Sequence, residues 1–254
     1  MKKVLLLSGI LLALTASVTL AAGVNLTWSS GTNGCWTEKL TSLTTWTCDN
    51  EFDGPWMFVG SFKMDANKTD FAGISAIVDG QSSSPSLPDW WQFFNAGSCR
   101  SNSLIASAAF NVGFLKTLCK DPFAGAANGG IGAWQTALYP PPTPLNAPAP
   151  NRLRLKVAYV LTASKSLPAS QEWYAFWAQF DANHTSDTAP LCGGCLTPVA
   201  LVLNEVGVVG TTSSYKIIAP KDNNTIYWQA ADPILGGATP ARNTTWGEVK
   251  SLYR

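Results

Sequence analysis

Arg152-Leu153-Arg154-Leu155-Lys156-Val157-Ala158-Tyr159-Val160 is the most periodic stretch in the chain. Leu153, Leu155, Val157 and Tyr159 alternate with Arg152, Arg154 and Lys156, which is the period of two that a strand requires. The apolar set predicts a buried face and the cationic set a wet one, as in an antiparallel sheet with one solvated side. Val199-Ala200-Leu201-Val202-Leu203 is apolar on both faces and predicts a strand central in a sheet. Further strands are predicted over 56–62, 74–79, 90–94, 104–110, 173–180, 199–206, 215–218 and 225–229. Turn residues separate these runs and helix-period segments are scarce. The pattern predicts an all-β fold: a single antiparallel β-sandwich over 23–254, jelly-roll or immunoglobulin-like.

Two segments stand apart. Asp121 to Pro150 begins rich in Gly and Ala and ends in Tyr139-Pro140-Pro141-Pro142-Thr143-Pro144. It reads as a long surface loop or, less well, an interdomain linker. Thr245-Trp246-Gly247-Glu248 matches a capping box and predicts a short C-terminal helix over 245–254.

At the other terminus, Lys2 and Lys3 precede an apolar run from Val4 to Leu20, followed by Ala21-Ala22-Gly23. This is the layout of a secretory signal peptide over 1–22, with cleavage after Ala21 or Ala22; an uncleaved anchor is the alternative. No later run has spanning length, so no membrane span is expected after cleavage, and the expected location is periplasmic or extracellular. Without Lys2 and Lys3 the 17 basic groups fall by two against 16 acidic ones, a net charge of about −1. A near-neutral chain argues against a nucleic-acid partner. Charged residues are 13% of the chain, against about 25% in ordinary domains, so its polar surface is built largely from Ser, Thr, Asn and Gln.

Six cysteines behind a signal peptide read as three disulfides. Nearest-neighbour pairing, Cys35–Cys48, Cys99–Cys119 and Cys192–Cys195, is the expectation. Cys192-Gly193-Gly194-Cys195 also admits a redox dithiol or half of a zinc site. The motif lacks a βαβ setting, however, and even with His184 it supplies three ligands where a structural zinc needs four. No metal or cofactor is expected.

Catalytic groups are sparse. His184, the sole histidine, lies in a polar stretch, and no G-x-S-x-G elbow accompanies it. Among the acids, Glu172 and Glu205 fall on predicted strands and Asp79 and Asp89 near strand ends, from which a hydrolytic carboxylate pair would have to come. Asp49-Asn50-Glu51-Phe52-Asp53-Gly54 opens like a calcium loop, but Gly60 stands where the bidentate Glu belongs, leaving an Asp/Asn-rich turn. Asn25, Asn67, Asn183, Asn223 and Asn243 head glycosylation sequons, which matter only in a glycosylating host.

Tryptophan is the unusual feature, with eleven in the chain. On a regular strand Trp173 and Trp177 share a face with Gln179, opposite Phe176 and Phe180, and would form an exposed aromatic shelf suited to sugar rings; burial of that shelf under other segments is the competing reading. Trp90 and Trp91, on opposite faces, add one further exposed ring. The row Arg152, Arg154 and Lys156 reads as a solvated sheet face, or else as a surface for an anionic polymer.

Several phrases together carry a likeness: Ala22-Gly23-Val24-Asn25-Leu26-Thr27-Trp28, Val59-Gly60-Ser61-Phe62, Leu87-Pro88-Asp89-Trp90-Trp91-Gln92-Phe93, Gly97-Ser98-Cys99-Arg100, Asn151-Arg152-Leu153-Arg154-Leu155-Lys156-Val157, Cys192-Gly193-Gly194-Cys195, and Thr245 to Arg254. With these the chain resembles a group of uncharacterised secreted proteins from environmental bacteria. The resemblance implies export, a bacterial host and one domain, and no activity. The leading functional expectation is a non-catalytic extracellular or cell-surface binding module with a glycan or surface polymer as partner. A structural or adhesive subunit and a carboxylate-pair hydrolase are the alternatives.

Overall fold

Burial of alternating side chains organises the described residues into two sheets packed face to face. The computed structural model describes residues 22–29, 35, 41–93, 98–110, 119–135, 149–185 and 191–230. One sheet has four strands: β1 (Gly23–Trp28), β3 (Trp56–Lys63), β5 (Leu104–Ser107) and β8 (Glu172–Phe180), in the order β1-β3-β8-β5. The other has seven. They are β2 (Leu43–Thr44), β4 (Lys68–Ser82), β6 (Asn128–Gln135), β7 (Arg152–Leu167), β9 (Val199–Gly210), β10 (Tyr215–Ile217) and β11 (Thr225–Trp228). Their order is β2-β11-β9-β4-β7-β6, with β10 also on β9. All pairs are antiparallel except β2 with β11. Among the described residues there is no α-helix, and no helix is long and apolar enough to cross a membrane.

The core lies between the sheets. Leu153, Leu155, Val157 and Tyr159 of β7 are buried, as their alternation predicts. They join Ile74, Ala76 and Val78 of β4 beneath Phe58, Phe62 and Phe176 of the smaller sheet. β9 is buried from Val199 to Val208, because β4 flanks it on one side and β10 and β11 on the other.

Several expectations are corrected. The Gly/Ala-rich stretch expected as loop supplies edge strand β6, paired with β7 from Asn128↔Val160 to Gln135↔Leu153. Gly129 explains the composition: a Cβ there would overlap the Ala158 carbonyl, so only glycine brings the two backbones together. Asp89–Trp91 is one 3-10 turn rather than a strand, and it buries both Trp90 and Trp91. Arg154 is not on a wet face. It is 2% exposed, and Nε and Nη2 meet the two Asp79 oxygens at 2.6 and 2.7 Å while Asn204 donates to the same carboxylate at 2.8 Å. Asp79 and Arg154 are register partners on adjacent strands, so the pair forms wherever β4 meets β7.

None of the nearest-neighbour disulfides forms. The bonds are Cys35–Cys119, Cys48–Cys195 and Cys99–Cys192, across separations of 84, 147 and 93 residues. The expected signal segment up to Ala21, most of the Pro-rich run and the expected C-terminal helix lie outside the described residues. Three disulfides suit an oxidising, non-cytoplasmic location.

Candidate functional site

One end of the sandwich gathers the chain's unusual chemistry. β3 and β9 start there, and β4, β8 and β11 end there. The segments that meet are 45–55, then 83–93 with 98–103, and 181–185 with 191–198. Cys48–Cys195 ties the first to the third, and Cys99–Cys192 ties the second to the third, with Cα–Cα distances of 6.0 Å in both cases. The two cysteines of the C-x-x-C thus anchor separate loops instead of each other.

Arg100 sits at the junction with no exposed surface. Its guanidinium donates to the Asp181 carboxylate (3.2 Å), the Asp181 carbonyl (2.8 Å), the Trp90 carbonyl (3.3 Å) and the Asn183 carbonyl. The group lies 4.4 Å from the Trp90 ring centroid and 5.5 Å from that of Phe93. Burial lowers its pKa to about 10, and the Asp181 charge opposes the shift.

Around it runs a continuous series of aromatic rings. Trp90 stacks on Trp228 at 5.3 Å, Trp228 meets Trp56 edge-on at 5.4 Å, and Trp56 lies 4.3 Å from Trp46. The inner indoles donate to protein oxygens: Trp228 to the Cys195 carbonyl (2.6 Å) and Trp90 to Thr185 (2.9 Å). The series runs from fully buried rings outward to Trp46 and Trp56, which are half-buried. Phe52, on the turn between Trp46 and Trp56 in sequence, is 95% exposed, and Leu191 and Leu196 are exposed on the tethered loop.

The loop that carries Phe52 is braced by its own polar groups. Asn50 Oδ1 accepts the Phe52 amide (2.8 Å), Asp49 accepts Thr47 Oγ1 (2.6 Å), and Asp53 accepts both Trp46 Nε1 (2.8 Å) and Asn50 Nδ2 (3.3 Å). The oxygens expected of a calcium loop are spent on the turn. Among the described residues no group of three or more His, Cys, Asp or Glu could hold a metal ion.

The Trp173/Trp177 shelf does not exist. Between Gly60↔Phe176 and Ser61↔Tyr174 the register of β3 on β8 shifts, leaving Ala175 as an extra residue. A bulge of one residue swaps the faces of everything beyond it. Trp173 therefore turns into the core, 9% exposed, with Nε1 on the Pro168 carbonyl. Trp177 turns outward, half-buried beside Phe110, Tyr174 and the Cys35–Cys119 bond, with Nε1 on the Ala109 carbonyl. Gln179 is half-buried on β8.

The acids do not converge on a cleft. Glu172 lies at the far end of the sandwich and accepts from Asn25, Ser61 and Lys221 at 2.6–3.0 Å. Asp89 accepts Gln92 Nε2. Asp79 and Glu205 do share the outer face of the larger sheet, their Cα atoms about 8 Å apart from strand spacing. Asp79 is held by Arg154 and Glu205 by Lys216, however. His184 takes a left-handed backbone, φ 65°, and its carbonyl accepts the Cys192 amide. Its Nδ1 is buried without a partner among the described residues, which bring no hydrogen-bonded triad together there. Asn25 is fully buried with both amide atoms engaged, which closes that sequon to modification.

Sequence reasoning missed Trp46, Trp56 and Phe52. The signal available was an unmatched Phe within a turn of Asp, Asn and Gly, framed by two tryptophans. Fold and site together define a disulfide-linked all-β protein with an aromatic-floored loop cluster at one end. No protein-family model, curated protein or solved structure matches the chain.

Proposed function

We propose that the protein is an exported, non-catalytic binding module that takes carbohydrate on the Trp46–Trp56–Phe52 surface. The observation that carries this reading is the outward end of the ring series: two half-buried indoles 4.3 Å apart, with an almost fully exposed Phe52 on the turn that joins them, in a loop anchored by a disulfide. Rings held rigidly at a surface present stacking area at little cost in conformational entropy. A sugar ring offers the matching apolar face, and the exposed carboxylates of Asp49 and Asp53, which accept one and two hydrogen bonds within the turn, keep lone pairs for hydroxyl groups. Segment 45–55 carries three acids and no basic residue, which favours neutral or amino sugars over uronic or sulfated ones. Export rests on the signal-like 1–22 segment together with three disulfides.

The test is binding of the oxidised protein to a panel of neutral, amino and acidic polysaccharides, alongside Phe52→Ala. Phe52 packs on almost nothing in the folded chain, so its removal leaves the fold intact while weakening binding about tenfold. No binding to any sugar, or binding untouched by Phe52→Ala and Trp56→Ala, removes the carbohydrate reading. A structural or adhesive role is favoured by a separate observation, the open edge of β6.

A further inference from the structure

A sheet edge is a row of backbone donors and acceptors waiting for a partner, and folded proteins normally cover, shorten or charge it. The edges of this sandwich differ sharply in this respect. β1 is closed from outside by the following chain: Val24 N–H donates to the Ala219 carbonyl (2.9 Å), Lys221 N–H to the Val24 carbonyl (2.9 Å), and Leu26 N–H to the Asn223 carbonyl (2.7 Å). β2, β5 and β10 are only two, four and three residues long. Among the described edge strands β6 is the one that is both long and uncharged; the far part of β7, 161–167, also has no strand paired on that side but carries Lys165. The eight residues of β6 bond to β7 on one side; among the described residues no strand is hydrogen-bonded to the other side, although β5 of the smaller sheet comes within 8 Å of it.

Nothing in Asn128-Gly129-Gly130-Ile131-Gly132-Ala133-Trp134-Gln135 guards that edge. It holds no charge and no proline, the usual devices against edge pairing. The glycines sharpen the point. Gly129 is dictated from within, because a Cβ would overlap the Ala158 carbonyl. At Gly130 a Cβ would meet nothing within 4 Å. Glycine mid-strand costs backbone freedom, and where no internal contact demands it, it marks a place where another backbone comes close. Val160, the register partner of Asn128, is 50% exposed, and Ile105 is exposed on β5, the neighbouring edge.

We propose that β6 pairs antiparallel with β6 of a second copy about a two-fold axis, continuing the seven-stranded sheet across the interface. A second copy is the fitting occupant because antiparallel pairing of one edge with itself is self-complementary: each chain offers the same donors and acceptors to the other. An uncharged strand also repels no copy of itself. The dimer has a defined polarity. Gln135 pairs with Leu153 near the start of β7, at the stapled end, so antiparallel pairing points the two stapled ends in opposite directions. The inference is independent of what those ends bind.

Sedimentation velocity over about 1 to 100 μM of the oxidised protein is the test, since self-association shifts with concentration by mass action. Gly130→Lys and Asn128→Lys place a charge on the edge at exposed positions without crowding β7. The expected result is a concentration-dependent dimer that both variants convert to monomer, with tryptophan emission and thermal midpoint unchanged. Hydrogen exchange should slow in β6 amides as the concentration of unmodified protein rises. A monomer throughout the range overturns the proposal, and so does a dimer that survives both lysines.

Discussion

Replacing Cys48 and Cys195 together by serine isolates the crosslink beneath the proposed recognition surface. On its own, closing a loop across a separation of 147 residues removes about 5 kcal/mol of unfolded-state entropy. The other two bonds shorten the covalent path between Cys48 and Cys195 to roughly 35–40 residues, for which the same relation gives about 4 kcal/mol. That is a large share of the 5–15 kcal/mol typical of a folded domain. Guanidinium unfolding followed by tryptophan emission should show the midpoint falling accordingly, with the m-value constant or slightly larger as the unfolded chain expands. Peptide mapping of the variant should still recover Cys35–Cys119 and Cys99–Cys192. A loss under about 1 kcal/mol with those two bonds intact would refute the entropic argument. Recovery of Cys192–Cys195 from the unmodified protein would refute the connectivity itself.

Two further perturbations test buried groups. Arg154→Met leaves the Asp79 carboxylate buried without its bidentate partner and should cost about 3–5 kcal/mol in denaturant unfolding, while Arg154→Met/Asp79→Leu should regain most of it; a double variant as unstable as the single one would contradict this. Burial pushes Tyr159 up to about 12, and Tyr174 is raised by burial and then by the Glu172 charge. A phenol whose folded pKa lies above the unfolded value near 10 contributes its full stability below pH 10 and loses it as pH rises toward 12. Tyr159→Phe, which removes a hydroxyl with no hydrogen-bond partner among the described residues, should therefore flatten the fall in thermal midpoint between pH 10 and 12, and an unchanged slope would count against the assignment.

How much was legible in the sequence follows the range of each interaction. Strand β7 and the doubly buried β9 declare themselves by local periodicity, and β3, β8 and β11 are read to within a residue or so of their ends. Alternation shows only that the two faces of β7 differ. It does not show that the second face is wet, and Arg154 is buried because Asp79, 75 positions away, meets it in register. The face of Trp173 depends on a bulge at Ala175, which has no local signature. β6 is hidden by glycines that usually argue against a strand. Gly129 is required by a carbonyl on β7 that no window around it contains. Cysteine spacing favoured short loops, whereas the real partners are brought together by the sandwich. The aromatic surface was least legible of all, since its floor draws Trp46, Trp56, Trp90 and Trp228 from four separate segments.

The interleaving of the crosslinks constrains how the chain is made. A polypeptide entering an oxidising compartment N-terminus first presents Cys35 and Cys48 together, while the mate of Cys35 is 84 residues behind it and that of Cys48 is 147. Oxidation in order of arrival would join the first two cysteines wrongly, then Cys99 to Cys119. Efficient maturation therefore calls for a catalyst that reshuffles bonds as well as one that forms them, or for thiols kept reduced until Cys195 has arrived.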